Sequence, residues 1–543
     1  MRESHDYLII GGGSGGAVMA GRLSEDANTS VCVLEAGGGG NSMLVNTPAA
    51  TVAMLPTKLN NWGFETVPQP GFNGRCGYQP RGKTLGGSSA INAMVYIRGH
   101  RSDYDHWVEL GNAGWSYDDV LPYFKLSEGN ERFNDQYHGQ NGPLAVSDLR
   151  SDNPLQQAYV DAGQQAGFPV IDDFNGAEQE GIGVYQVTQK NGERWSVARG
   201  YLLPHMDSRP NLTVHTKTRT LRILFDGKRA VGVEVSQGGK TRTIHANKEV
   251  IVAAGAFQSP QLLMLSGVGP ADELAKHDIP LVHELPGVGQ NLQDHPDFIF
   301  AYKSKSMDTL GVSLGGTVKL MKDIQRYRKD RRGAITSNFA EGGGFLKTRE
   351  DLDAPNIQLH FVVALVEDHA RKFHLSHGLS CHFCLLRPRS SGSVTLASAD
   401  PQAAPLIDPG FFSHPDDVED MVAGFKLTRK IMQQPALAPY ITEDVFTADI
   451  TSDDQIRQIL RDRCDTVYHP IGTCKMGVDD MAVVDPGSLK VYGVEGLRVV
   501  DASVIPTLIG GNTNAPTVMI AEKAVDMIRG VSRVASDRAQ GAA

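Results

Sequence analysis

Short apolar runs, separated by glycines and by one stretch of helical spacing, open the chain. Residues 7–10 form an apolar run that ends in glycines, residues 17–23 have helical spacing, and residues 30–34 form a second apolar run. Continuous apolar runs of this length are typical of buried parallel strands. The order strand, helix, strand predicts a βαβ unit at the start of a doubly wound α/β domain.

Farther along the chain, the spacing of apolar positions changes. It falls to a period of two around residues 211–215 and 230–235, which predicts antiparallel strands or hairpins. Residues 249–255 again form an apolar run that ends in glycine. Ser259 followed by Pro260 then predicts the N-cap and the first residue of a helix.

A different pattern occupies residues 301 to 465, where apolar strands such as 357–363 alternate with polar loops and no second glycine fingerprint occurs. We therefore predict a mixed α/β (α+β) fold, in which a Rossmann-type cofactor-binding domain carries an inserted substrate-binding domain built on an antiparallel sheet. The predicted cofactor segments are 1–155, 196–300 and 466–543. The predicted substrate segments are 156–195 and 301–465.

Composition narrows the class of protein. The apolar content of 41% is that of a soluble globular protein, and the net charge of −10 argues against a nucleic-acid partner. Six cysteines in 543 residues suit a reducing compartment. Neither a signal peptide nor an apolar run long enough to span a membrane is visible. We expect a cytoplasmic protein, with peripheral contact at the inner face of the membrane left open.

A glycine fingerprint lies between the first strand and the first helix. Gly11 allows a tight turn, Gly13 lets the backbone approach a pyrophosphate, and Gly16 lets the helix pack on the strand. The helix N-terminus then faces the phosphates. Glu35 follows about 20 residues later, where a carboxylate accepts hydrogen bonds from ribose hydroxyls and disfavours a 2′-phosphate. The pattern predicts FAD or NAD and argues against NADP.

Further motifs resemble the signatures of the glucose–methanol–choline (GMC) oxidoreductases. They are residues 82–94, residues 255–269, residues 469–477, residues 501–503 and residues 511–514. The resemblance runs from residue 6 to about residue 530 and implies FAD as the cofactor.

The same resemblance implies where FAD is held. The 86–92 loop would wrap the flavin ring, Asp501 and Ala502 would contact the pyrophosphate and ribityl chain, and Thr220 would lie near the adenine. Ile91 stands where some relatives have a histidine linked to the flavin, so we expect non-covalent FAD. The expected cofactor-binding residues are Gly11, Gly13, Ser14, Gly15, Gly16, Glu35, Ala36, Trp62, Gly82, Leu85, Gly86, Gly87, Ser88, Asn92, Ala93, Met94, Val95, Thr220, Ala254, Gly255, Asp501, Ala502, Asn512 and Thr513.

His469 is the expected catalytic base. An alcohol hydroxyl is a very weak acid, so its oxidation needs a base, and histidine is the usual choice near neutral pH. Asn512 matches the second catalytic position of the family and can hydrogen-bond the substrate oxygen, although it cannot share the proton. The resemblance implies oxidation of a primary alcohol to the aldehyde, with hydride transfer to flavin N5. It is strongest to the bacterial branch with choline dehydrogenases and alcohol dehydrogenases, in which a quinone or another carrier often accepts the electrons.

Several alternatives stay open. An oxidase that uses dioxygen is one, and an FAD-containing hydroxynitrile lyase is another. In choline-oxidising relatives an acid at the position of Asp297 contacts the quaternary ammonium, but a surface or structural aspartate is the simpler interpretation. Cys381 and Cys384 form a single C-x-x-C in an apolar run, which favours a buried strand, and no metal is expected. The basic amphipathic segment 319–329 is either a solvated helix or a contact with an anionic membrane.

Overall fold

Two seven-stranded sheets organise the molecule in the computed structural model, which describes residues 3–311, 314–372 and 376–533. The first sheet begins with the predicted parallel βαβ unit, in which helix Ser14–Leu23 joins strands Ser4–Ile10 and Val31–Leu34. Its strands, in spatial order, are Leu212–His215, Val31–Leu34, Ser4–Ile10, Lys240–Val252, Arg229–Gln237 and Thr218–Asp226, and Leu497–Val499 pairs with the end of Lys240–Val252.

One pairing prediction for this sheet is wrong and one is confirmed. Leu212–His215 pairs with Val31–Leu34 in parallel, not antiparallel. It is an edge strand, so only some of its side chains are buried, and the period of two reflects that partial burial. Arg229–Gln237 is antiparallel to both of its neighbours, as predicted.

The helix predicted to begin at Pro260, with Ser259 as its N-cap, begins instead at Gly255 and runs to Leu265. Ser259 is not its N-cap: its hydroxyl donates to Asp501 Oδ2 at 2.6 Å. Pro260 lies inside the helix and cannot donate to the carbonyl oxygen of Ala256. The Thr473 hydroxyl donates to that oxygen at 2.6 Å, which explains why the helix tolerates the proline.

The second sheet is antiparallel, as predicted, and its strands come from distant parts of the chain. In spatial order they are Glu443–Asp444, Pro296–Ser304, His377–Leu385, Ile357–Val362, Ala340–Leu346 and Gly181–Val184, and Asp465–Thr466 pairs with the start of Pro296–Ser304. Cys381 and Cys384 are buried within their strand, which confirms the strand interpretation of the C-x-x-C pair.

The domain division stays a prediction, although the distribution of strands supports it. Gly181–Val184 belongs to the second sheet and lies in the predicted segment 156–195. The predicted boundaries after residues 300 and 465 fall inside strands Pro296–Ser304 and Asp465–Thr466. The second sheet therefore begins before residue 301 and ends after residue 465.

Helices pack against both sheets and against one another. Asn514–Arg529 packs on Ser14–Leu23, and Pro415–Met432 packs on His377–Leu385. Of the helices in the described residues, none is both long and apolar enough to cross a membrane. The other helices of five or more residues are Arg101–Glu109, Tyr117–Ser127, Leu155–Gln165, Val197–Tyr201, Ala271–Ala275, Leu314–Asp330 and Asp453–Arg463.

Candidate active site

A cavity of about 700 Å³ is lined by residues from both sheets. The glycine loop after the first strand contributes to its wall, and so do Ala340, His360 and Val362 of the second sheet. His469 and Asn512, which are 43 residues apart in sequence, line the same cavity. The fold therefore places the predicted cofactor loop and the predicted catalytic pair around one space.

The fingerprint glycines have different roles in this wall. A Cβ on Gly16 would overlap the carbonyl oxygen of Gly11, and a Cβ on Gly15 would overlap that of Val500. A Cβ on Gly13 would meet nothing closer than Gly87 Cα at 3.8 Å. Gly16 is thus needed for the helix to pack on the strand, whereas Gly13 leaves room in the cavity for a ligand.

Glu35 is fixed by two backbone donors. The amide of Gly12 donates to Oε2 at 2.9 Å and the amide of Gly37 donates to Oε1 at 2.6 Å. Burial raises the pKa of Glu35, and these two hydrogen bonds oppose that shift. Each carboxyl oxygen retains a lone pair at the cavity wall, which fits the hydroxyl donors of a ribose.

Two more polar groups in the wall fit a bound dinucleotide. The Thr220 hydroxyl is buried and has no hydrogen-bond partner among the described residues. Asp501 accepts from the backbone amide of Gly255 at 2.8 Å and from that of Ser503 at 2.8 Å, so its carboxylate is held beside the start of a helix. A buried hydroxyl without a partner is costly, and a ligand atom would satisfy it.

Most predicted cofactor residues line the cavity, and three do not. Gly16 lies behind the wall, Leu85 is buried, and the amide of Gly86 donates to the Gly12 carbonyl at 2.7 Å. These three residues lie behind those that line the cavity and support the conformation of its loops. The residues that do line it are Gly11, Gly13, Ser14, Gly15, Glu35, Ala36, Trp62, Gly82, Gly87, Ser88, Asn92, Ala93, Met94, Val95, Thr220, Ala254, Gly255, Asp501, Ala502, Asn512 and Thr513.

The loop that carries His469 has an unusual backbone. Tyr468 has a φ of 75°, a conformation that side chains other than glycine rarely adopt. Arg81 Nη2 donates to the Tyr468 carbonyl oxygen at 2.6 Å, and the His469 amide donates to Asp294 Oδ1 at 2.8 Å. These two buried groups hold the strained turn, which aims the imidazole into the cavity.

The His469 ring has a partner on each nitrogen. Nε2 lies 3.0 Å from Asn512 Nδ2, and Nδ1 lies 3.0 Å from His295 Nδ1. The residue is 8% exposed, and burial lowers its pKa well below the usual range of histidine. His295, His360 and the cation Arg81 lower it further. The ring is therefore neutral near pH 7, as a base must be before it takes a proton.

Local sequence patterns gave no sign of several residues around this ring. Asp294 and His295 are buried and directly precede the apolar strand Pro296–Ser304. Two polar residues at the start of an apolar run are the one feature of the sequence that could have drawn attention to them. Gln358 and His360 lie inside an apolar strand, where an even spacing would indicate that they share a face. Gln358 contacts Asn512, and His360 acts on the pKa of His469, only because the fold brings these distant residues together.

Asp297 is a buried carboxyl group beside His382. It is 4% exposed, and His382 Nδ1 lies 2.7 Å from its Oδ2. Because it is buried, the interpretation as a surface aspartate is wrong. It is not among the described residues that line the cavity. Burial raises the pKa of Asp297, and the neighbouring His382 opposes that shift.

Comparison with known proteins defines the family. The family model described as GMC oxidoreductase matches in two parts, the N-terminal part at residues 5–297 and the C-terminal part at residues 388–521. The chain belongs to the GMC oxidoreductases. The predicted family and the mixed α/β fold are thereby confirmed.

Relatives of this GMC oxidoreductase are similar over their whole length. The alcohol dehydrogenase [acceptor] of Pseudomonas putida is 46% identical, over 96% of this chain and 95% of the relative. The oxygen-dependent choline dehydrogenase of Escherichia coli K12 is 46% identical, over 97% of this chain and 95% of the relative. Among solved structures, a formate oxidase of Aspergillus oryzae RIB40, studied for FAD modification, has a TM-score of 0.90 at 29% identity and covers 97% of this chain and 98% of its own.

Proposed function

We propose that this GMC oxidoreductase is an FAD-dependent dehydrogenase that oxidises apolar primary alcohols to aldehydes. The observation that carries the proposal is His469, a buried neutral imidazole beside Asn512 in the cavity that the fingerprint residues also line. The full-length similarity to an alcohol dehydrogenase [acceptor] supports the same reaction. A flavin-binding protein without catalysis has no need of this base.

The residues of the chain divide the work of the reaction. When bound, FAD supplies the acceptor for the hydride that leaves the carbinol carbon. When the alcohol binds, its hydroxyl replaces the Asn512 NH₂ group as the donor to His469 Nε2, and that nitrogen takes the hydroxyl proton. The Asn512 amide then donates its hydrogen bond to the alcohol oxygen while negative charge develops there. The apolar wall keeps water out, which strengthens both interactions.

The cavity wall favours a neutral apolar substrate over choline. Of its described residues, only Glu35 and Asp501 are carboxylates, and both belong to the predicted cofactor site. A quaternary ammonium would therefore lack a charged partner, because Asp297 is paired with His382 and does not reach the cavity. Many of the residues that line the cavity are apolar, among them Phe339, Val362, Leu365, Val366 and Val467.

An anaerobic screen of alcohols tests this proposal. We expect linear primary alcohols to bleach the flavin, with kcat/KM rising about fourfold per added methylene until the cavity is filled, since each buried CH₂ contributes about 0.8 kcal/mol. Choline should be at least about 100-fold poorer than the best aliphatic alcohol, because its charge would be buried without a partner. Choline as the best substrate would refute the apolar preference. Cyanohydrin cleavage without bleaching by any alcohol would refute the dehydrogenase itself.

We further propose a membrane quinone as electron acceptor, reached through helix Leu314–Asp330. Leu320, Met321 and Ile324 on this helix are 48%, 56% and 38% exposed, among several lysines and arginines. Leu310 and Gly311, shortly before the helix, line the cavity. An exposed apolar stripe among cations suits an anionic lipid surface.

Vesicles of anionic lipid that contain a quinone test the acceptor. We expect the enzyme to sediment with them and to reduce the quinone, and the double variant Leu320→Glu/Ile324→Glu to lose about tenfold in both. Leu281→Glu, which changes another exposed leucine, serves as the matched control. Equal sedimentation of the double variant would refute the helix contact. One peroxide per alcohol oxidised in air, at the quinone-dependent rate, would identify an oxidase.

We also propose that FAD is bound without a covalent link. Ile91 lines the cavity at the position where some relatives carry the linking histidine, and an isoleucine side chain has no nucleophile. Acid precipitation should release all of the flavin into the supernatant. Flavin absorbance that stays with the washed pellet would contradict the proposal.

A further inference from the structure

The rings of His295 and His469 share one hydrogen bond, and the other contacts of His295 show which ring carries its hydrogen. His295 Nε2 lies 3.1 Å from the Leu386 carbonyl oxygen and 3.2 Å from that of Ile509. Because carbonyl oxygens only accept, this nitrogen carries a hydrogen. Burial lowers the pKa of His295 to about 3, so the ring is neutral and its Nδ1 has only a lone pair. The hydrogen between the two rings therefore belongs to His469 Nδ1.

The contacts at the other ring nitrogen of His469, Nε2, lead to the same assignment of the hydrogen. The Tyr185 hydroxyl donates to the Leu359 carbonyl oxygen at 2.6 Å, and Gln358 Nε2 donates to Asn512 Oδ1 at 3.0 Å. Gln358 Nε2 also lies 3.3 Å from the Tyr185 oxygen, which is free to accept. With its oxygen engaged, Asn512 turns its NH₂ group toward His469 Nε2. An amide NH₂ only donates, so Nε2 is the acceptor.

We propose that this hydrogen-bond chain, which ends on backbone carbonyls at both sides, holds His469 in its Nδ1–H tautomer and makes His295 and Gln358 positioning residues. The proposal rests on the proposed function, because the Nε2 lone pair is the base that receives the hydroxyl proton. The opposite tautomer would point a hydrogen at the alcohol and could not accept from it. In that tautomer Nδ1 of His469 and Nδ1 of His295 would face each other with a lone pair each and no hydrogen between them.

The alternative arrangement of the rings is disfavoured by the surroundings of His295. This residue is fully buried, and its ring stands at 85° to that of His469. If its hydrogen moved to Nδ1, its Nε2 lone pair would face two carbonyl oxygens without a donor between them. The carbonyls of Leu386 and Ile509 thus determine the protonation of a ring that they do not touch.

Nitrogen-15 NMR of the FAD-bound enzyme reads the tautomer without turnover. Histidine-labelled wild type and His469→Gln identify the His469 signals by difference. We expect a protonated-type shift for Nδ1 and an unprotonated-type shift for Nε2 at pH 7 to 8. An Nε2–H form would overturn the proposal even in an enzyme that oxidises alcohols. An Nδ1–H form would stand even if another reaction were found, so the two failures are distinguishable.

Reaction kinetics test the positioning residues. In FAD-loaded His295→Leu, the limiting rate of flavin reduction by alcohol should fall about 10- to 100-fold, with the alcohol dissociation constant within about twofold of wild type. His295→Asn can place an oxygen acceptor near the position of Nδ1 and should recover most of the rate. Gln358→Met, which lacks the donor but has a similar shape, should lose about three- to tenfold.

The matched control is His277→Leu, which removes a histidine whose Nε2 lies 3.1 Å from the Leu396 carbonyl outside the cavity wall. It should keep the wild-type rate. A His295→Leu rate within twofold of wild type would overturn the role of His295. Equal rates for FAD-loaded His295→Asn and His295→Leu would also overturn it, because a merely structural histidine predicts no rescue by a restored acceptor.

Discussion

Flavin reduction by an alcohol should be about two to four orders of magnitude slower in His469→Ala than in wild type. The variant loses the imidazole that lies beside Asn512 at the cavity wall, so the hydroxyl proton must leave to water or to a weaker acceptor. FAD should stay bound, because the fingerprint loop and Glu35 do not contact this ring. Anaerobic stopped-flow measurement of flavin absorbance gives the rate, and the spectrum before mixing gives the FAD content.

A suitable control for that variant is His277→Ala, which lies outside the cavity wall and should react at the wild-type rate. If His469→Ala were reduced within tenfold of wild type, another group would have to be the base. A loss of FAD together with the loss of rate would show that the loop at residue 468 supports the cofactor site as well. The FAD content therefore separates a chemical role from a structural one.

The second large effect is expected at the glycine loop. Gly13→Ala should weaken FAD binding by about tenfold or more, on the order of 1.4 kcal/mol, while the melting temperature of the apoprotein stays near that of wild type. The added methyl meets no protein atom closer than 3.8 Å, so it intrudes only on the space of the ligand. Titration of apoprotein with FAD, followed by flavin fluorescence, measures the affinity.

Gly16→Ala is the informative comparison, because its methyl would overlap the Gly11 carbonyl inside the protein. It should lower both the melting temperature and the affinity for FAD, since the first helix must move away from the first strand. Wild-type FAD affinity in Gly13→Ala would mean that this glycine does not face the cofactor.

The features that the sequence revealed are those imposed by local backbone geometry. Gly11 and Gly16 are required by a tight turn and by a close approach of helix and strand, so their spacing, together with the flanking apolar runs, identifies the βαβ unit. The antiparallel second sheet was likewise expected from alternating strands and loops. The helix that begins at Gly255 was placed five residues too late because a serine followed by a proline is a typical helix start. In the folded protein Ser259 donates to Asp501, and Thr473 donates to the carbonyl oxygen that Pro260 leaves without a backbone donor.

The remaining parts of the site could not be read from the sequence because they depend on distance. His295 and His469 are 174 residues apart in sequence, and Gln358 and Asn512 are 154 apart, yet each pair is in hydrogen-bond contact. No local pattern encodes such a meeting. The same reason applies to Asp297, whose pairing with His382 across two adjacent strands turns a possible ligand for a cation into a buried structural acid.

The contact between the first and last long helices also limits the order in which the protein is made. Ser14 donates to Asn514 at 2.7 Å across 500 residues, and Arg22 binds Glu522. During synthesis helix Ser14–Leu23 leaves the ribosome long before helix Asn514–Arg529, and the apolar face between them stays uncovered until the second helix emerges. Completion of the cofactor site is therefore a late event of biogenesis.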